Sequence, residues 1–118
     1  MIVVRGGFVI EGGDKLFVEV RCFEGRVSIC VLGRGKLPYK PRRLPGVYDR
    51  LIMKTILERG VPLECREIRC NRLELGKTRY DGETYYVLRI YGDREIEVYF
   101  PLWKLDFIKK CIAATSKR

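Results

Sequence analysis

Apolar and polar side chains alternating with a period of two constrain this chain more than any other feature. Leu16, Val18, Val20 and Cys22 alternate with Phe17, Glu19 and Arg21, and Val27, Ile29 and Val31 alternate with Ser28, Cys30 and Leu32. Successive residues of a strand point to opposite faces, so each run buries one face, and the Glu24-Gly25 break between them predicts a hairpin. A second hairpin runs from Tyr85 to Phe100. There Tyr86, Leu88 and Ile90 line one face, Ile96, Val98 and Phe100 pack beside them, and Gly92-Asp93 makes the turn. Valines and isoleucines around Gly6-Gly7 make segment 2–10 a further strand, and a strand is expected from about Glu67 to Leu75.

Two segments carry the helical period instead. Val47, Tyr48, Leu51, Ile52, Thr55 and Ile56 fall on one stripe, and Gly60 followed by Pro62 ends it. Pro101 opens a C-terminal helix of about 101–113, with Trp103, Leu105, Phe107, Ile108, Cys111 and Ile112 on the apolar side and Lys104, Lys109 and Lys110 on the wet side. Residues 114–118 are expected to fray. A chain of 118 residues has room for one domain, 1–118. The expected architecture is α+β: a mainly antiparallel sheet built from two hairpins, with one central and one C-terminal helix packed on one face.

Composition narrows the chemistry. Histidine is absent, which removes Ser-His-Asp and Cys-His triads and most zinc and non-haem iron sites. The five cysteines contain no Cys-x-x-Cys spacing, so disulfides or core thiols are expected, with at least one thiol unpaired. Glu11, Asp14, Asp81 and Glu83 sit at Gly-rich turns, where an acid more often makes a turn hydrogen bond than binds a metal. No cofactor and no metal is expected. Gln is absent and Asn71 is the one Asn, while Glu, Lys and Arg abound, a pattern that suits a thermophilic, archaeal source. With no signal-like segment near Met1 and no long apolar run, the expected location is cytoplasmic, without a membrane partner.

A formal charge of +9 points to a polyanion. The Pro-rich loop 33–46 holds three prolines and no acid, and within it Arg34, Lys36, Lys40, Arg42 and Arg43 surround Tyr39. Cations that neutralise phosphates beside an aromatic ring that stacks on a base are the combination single-stranded nucleic-acid sites use. The C-terminal strands add Arg79, Tyr80, Tyr85, Arg89 and Tyr91, an aromatic and cationic face if it is exposed, although Glu95 and Glu97 offer those arginines ordinary ion pairs. The expected function is non-enzymatic binding of single-stranded DNA or RNA, with a homodimer or a larger assembly as the oligomeric alternatives.

Residues Gly7-Phe8-Val9-Ile10-Glu11-Gly12-Gly13, followed by a hairpin, a helix, a second hairpin and a last helix, resemble the αββαββα order of LAGLIDADG homing endonucleases. The resemblance implies a homodimeric, Mg²⁺-dependent DNA endonuclease paired through this first segment, with Glu11 at the position of the metal-binding acid. A further alternative is an accessory subunit of a ribonucleoprotein or polymerase assembly, its C-terminal helix buried by a partner.

Overall fold

Tight turns at Gly12-Gly13 and Asp81-Gly82 need left-handed backbone, and φ values of 58°, 85°, 51° and 80° at these four residues show why short, mostly Cβ-free residues stand there. Each turn reverses a long strand. The computed structural model describes residues 1–32 and 62–116. Within them lie strands β1 (Ile2–Glu11), β2 (Asp14–Phe23), β3 (Arg26–Leu32), β4 (Pro62–Tyr80), β5 (Glu83–Gly92) and β6 (Glu95–Phe100), then a 3₁₀ turn (Leu102–Lys104) and a helix, α1 (Leu105–Ser116). The loop expected over 33–46 and the helix expected after it lie outside the described residues.

The strands pair in sequence order, all antiparallel, and close into a six-stranded barrel. An even number of up-and-down strands returns β6 antiparallel to β1, and the two meet at Phe8 and Tyr99. The open α+β sheet of two hairpins with helices on one face is therefore corrected: the hairpins form, but as neighbouring staves of a closed barrel. Among the described residues, α1 is the one α-helix. The first segment is a strand, not the helix that a LAGLIDADG order requires, so the endonuclease reading falls with the open sheet.

Closure depends on stagger, and β4 supplies it. Its first half pairs with β3 and its second with β5, with an irregularity between Cys70 and Arg72 where the partner changes. The expected strand from Glu67 to Leu75 is only the middle of this element. At its start Glu64, Cys65, Arg66 and Glu67 are all exposed, so no period-two pattern marks them as strand. On the opposite side β1 carries a bulge between Arg5 and Gly7, with Gly6 at φ 99°. A Cβ on Gly7 would lie 2.6 Å from the Phe100 ring, so this bare position lets Phe100 fill the barrel at the seam.

The interior is Val4, Val18, Val20, Val27, Ile29, Ile68, Leu88, Ile90, Val98 and Phe100, joined by Ile108 and Cys111 of α1. Ile108, Cys111 and Thr115 are the buried residues of α1, one stripe at helical spacing that closes one end of the barrel. Fully burying Ile108 alone contributes about 1.5–3 kcal/mol. A Cys22–Cys111 disulfide ties the helix to β2, and the Gly25 amide donates to the Thr115 carbonyl at 3.0 Å, so a β-turn satisfies the helix end. The helix thus stays ordered through Ser116, past residue 113. A second disulfide, Cys30–Cys65, joins residues directly opposite on β3 and β4, and Cys70 is free. No helix among the described residues is long and apolar enough to cross a membrane.

Candidate functional site

The surplus charge is unevenly placed along the chain. Residues 33–61 hold eight of the 24 Lys and Arg but only two of the 15 Asp and Glu, so the barrel and its helix are nearly balanced. On the barrel, acids and arginines sit together. Glu19, only 4 % exposed, accepts from both Arg5 and Arg21 at 2.8 Å, while Arg26 pairs with Glu67, Arg72 with Glu74, and Arg89 with Glu97. Burial by itself would raise the Glu19 carboxyl, but the hydrogen bonds and charges of the two arginines together outweigh it and hold the group below its ordinary value.

Of the residues expected to contact nucleic acid, Arg34, Lys36, Tyr39, Lys40, Arg42 and Arg43 lie outside the described residues. The other five do not form one cationic and aromatic face. Arg79 donates to the Gly82 carbonyl at 3.2 Å and braces the β4–β5 turn. Arg89 faces Glu97 at 3.7 Å. Arg72 lies over the Tyr91 ring at 4.5 Å, and the neighbouring Glu74 carboxylate raises the Tyr91 phenol above its usual range.

Tyr80 and Tyr85 come together in an aromatic cluster on the outside of the barrel. Phe8 stacks on Tyr99 at 5.3 Å and takes Tyr85 edge-on at 5.2 Å, with Tyr80 5.9 Å away and Phe17 at the margin. Phe8 and Tyr99 are the one registered pair between β1 and β6, so these rings seal the seam where the ladder is shortest. Tyr85 is 9 % exposed and its hydroxyl donates to Glu83 at 2.9 Å; burial, then the Glu83 carboxylate, pushes its phenol up to about 12. Its ring faces its neighbours rather than solvent.

An open aromatic surface occurs elsewhere, at Trp103 and Phe107, which the sequence reading placed on the apolar side of the C-terminal helix, and at the adjoining Leu102. Trp103, the single tryptophan, is 70 % exposed, and Leu102 and Phe107 are each 43 % exposed. Lys104, expected on the wet side, turns inward instead. Its Nζ lies 4.4 Å from the Trp103 ring centre and 5.0 Å from that of Phe107, so one ammonium bridges two rings. Burial lowers its pKa from the ordinary lysine value. Lys110 approaches Phe107 from 5.9 Å.

The cause of this exchange is local. Residues 102–104 form a 3₁₀ turn, with three residues per turn, and α1 begins only at Leu105, so a helical phase counted from Pro101 misplaces Trp103 and Lys104. Gly6 completes the arrangement: a Cβ there would meet the Lys104 Cε at 2.9 Å, so the β1 bulge leaves room for the lysine stem. A lone Trp beside lysine, just after a proline, was the available signal. Among the described residues no three acids or thiols converge as metal ligands. Comparison with protein-family models, curated proteins and solved structures gives no match.

Proposed function

We propose that this protein binds single-stranded nucleic acid without cleaving it, in the cytoplasm of a thermophilic archaeon. The observation that carries the reading is the exposed Trp103 indole, held beside Phe107 by the Lys104 ammonium. An indole with free surface and adjacent cations stacks an unpaired base while the cations meet its phosphates, independent of base identity. The basic residues Arg34, Lys36, Lys40, Arg42 and Arg43 supply the longer-range attraction that a nearly balanced barrel lacks. Intracellular disulfides are compatible with a hyperthermophilic source.

The test is fluorescence anisotropy with labelled single-stranded DNA, single-stranded RNA and duplex DNA of equal length at two salt concentrations, with Trp103 emission recorded in parallel. Single strands bind more tightly than duplex and quench the indole. Trp103→Ala weakens binding by about 1–3 kcal/mol, the worth of one stacked base. Arg42→Ala with Arg43→Ala lowers the salt slope on a single strand by about 1.4, near 0.7 per phosphate contact. Absence of binding at low salt overturns the proposal. Binding without quenching moves the bases away from Trp103.

A further inference from the structure

The β4–β5 hairpin runs on past the end of β6. The pairing of β5 with β6 nearest the hairpin turn is Tyr86 with Phe100, so residues 78–80 and 83–85 extend beyond it. Register sorts the side chains of this hairpin into two faces. Glu74, opposite Arg89, and Glu83, opposite Tyr80, belong to the outer one. The other continues the barrel's apolar lining from Leu73, Leu75 and Leu88, and on it Lys77 stands opposite Tyr86 and Arg79 opposite Thr84. No acid of either strand shares this face. Lys77, Arg79 and Thr84 are exposed and Tyr86 is half-buried, with the Lys77 Nζ 5.4 Å from its ring centre. The 3₁₀ turn that carries Trp103 packs against β5. Because Tyr86 pairs with Phe100, three residues before Trp103, the Tyr86 and Trp103 Cα atoms lie within about 16 Å of each other.

We infer that a single strand with one base on Trp103 continues over this face of the hairpin, placing a second base on Tyr86 and its phosphates against Lys77 and Arg79. The inference rests on the reading of Trp103 as a stacking platform and gives that site its direction and extent. A chain of phosphates carrying flat rings complements a strip of cations around two aromatic side chains. Paired bases stack on one another, so two separate rings select an unpaired strand.

Anisotropy of a short labelled oligothymidylate, titrated with the full chain at two salt concentrations while Trp103 emission is followed, tests the inference. Lys77→Ala with Arg79→Ala lowers the salt slope by about 1.4, near 0.7 per phosphate contact. Arg69→Ala with Arg94→Ala, which removes two exposed arginines elsewhere on the barrel, leaves the slope unchanged. Tyr86→Leu weakens binding about 5- to 150-fold, the equivalent of one stacked base, and Tyr86→Phe binds as the unaltered chain does. Circular dichroism verifies the fold of each variant; should Tyr86→Leu fail to fold, the Lys77 and Arg79 variant, changed only at exposed positions, decides alone. An unchanged slope in that variant, an equal fall in the Arg69 and Arg94 control, or full affinity in a folded Tyr86→Leu overturns the inference, and continued quenching of Trp103 then leaves the stacking platform standing. Absence of binding by the unaltered chain overturns both.

Discussion

Cys22 and Cys111 close a loop of 89 residues, and separating them should cost more than any single side-chain contact in the barrel. In the chain-entropy description, a crosslink over a loop this long removes enough freedom from the unfolded ensemble to stabilise the folded state by about 4–5 kcal/mol. The shorter Cys30–Cys65 loop, with a separation of 35, is worth about 3.8 kcal/mol on the same basis. The two loops are nested, so the bonds must be measured one at a time. A Cys30→Ala, Cys65→Ala, Cys70→Ala variant retains Cys22–Cys111 as its one disulfide and has no third thiol to exchange with it. Comparing its oxidised and reduced forms leaves the side-chain volumes unchanged and isolates the bond. Denaturant unfolding should show the reduced form less stable by about 4–5 kcal/mol, and for a chain of this size the midpoint temperature should fall by on the order of 15–20 °C. The same bond holds α1 over the barrel end, so reduction should also raise the exchange rate of the Cys111 to Thr115 amides before the strands open. A loss below about 1 kcal/mol would refute the assigned pairing or the view that the helix is part of the cooperative unit.

Four further outcomes concern Glu19, Tyr85 and Gly92. Glu19→Gln leaves the Arg5 and Arg21 guanidinium groups without their shared acid; because both arginines are partly exposed, the cost at neutral pH should be about 1–3 kcal/mol in denaturant unfolding. Glu19 is depressed in the folded state, so its contribution is present above its unfolded value of 4.5 and is lost as pH falls through the folded one; Glu19→Gln should flatten the acid limb of the stability profile. Tyr85 keeps its proton to about 12 when folded and to about 10 when unfolded, so stability should fall between those values by at most ~2–3 kcal/mol, and Tyr85→Phe should make that decline shallower. Gly92→Ala would drive a Cβ into the Arg69 carbonyl oxygen, a backbone atom that cannot swing aside, and should cost at least the upper part of the ~1–3 kcal/mol range for overpacking, read as a lowered melting temperature.

The sequence by itself determined the local elements wherever one face is buried and the other wet. The alternations from Leu16 and from Tyr86 became β2, β3, β5 and β6, and the cluster of Ile108, Cys111 and Ile112 became α1. Charge and the absence of histidine were equally legible, because they are properties of composition. Closure was not legible, because it depends on the stagger between distant strands, set by a bulge at Gly6-Gly7 and by a strand that changes partner near Asn71. Periodicity records which face of a strand is buried; it does not record whether the last strand returns to the first. Disulfide pairing was hidden for the same reason, since Cys22 meets Cys111 only after the barrel has formed. At the candidate site, tertiary structure decided which aromatic rings keep a free face. Tyr80 and Tyr85 went to the seam with Phe8 and Tyr99, whereas a short 3₁₀ turn rotated Trp103 into solvent and Lys104 beneath it. A ring's availability depends on what packs against it, and those neighbours come from strands far apart in the chain.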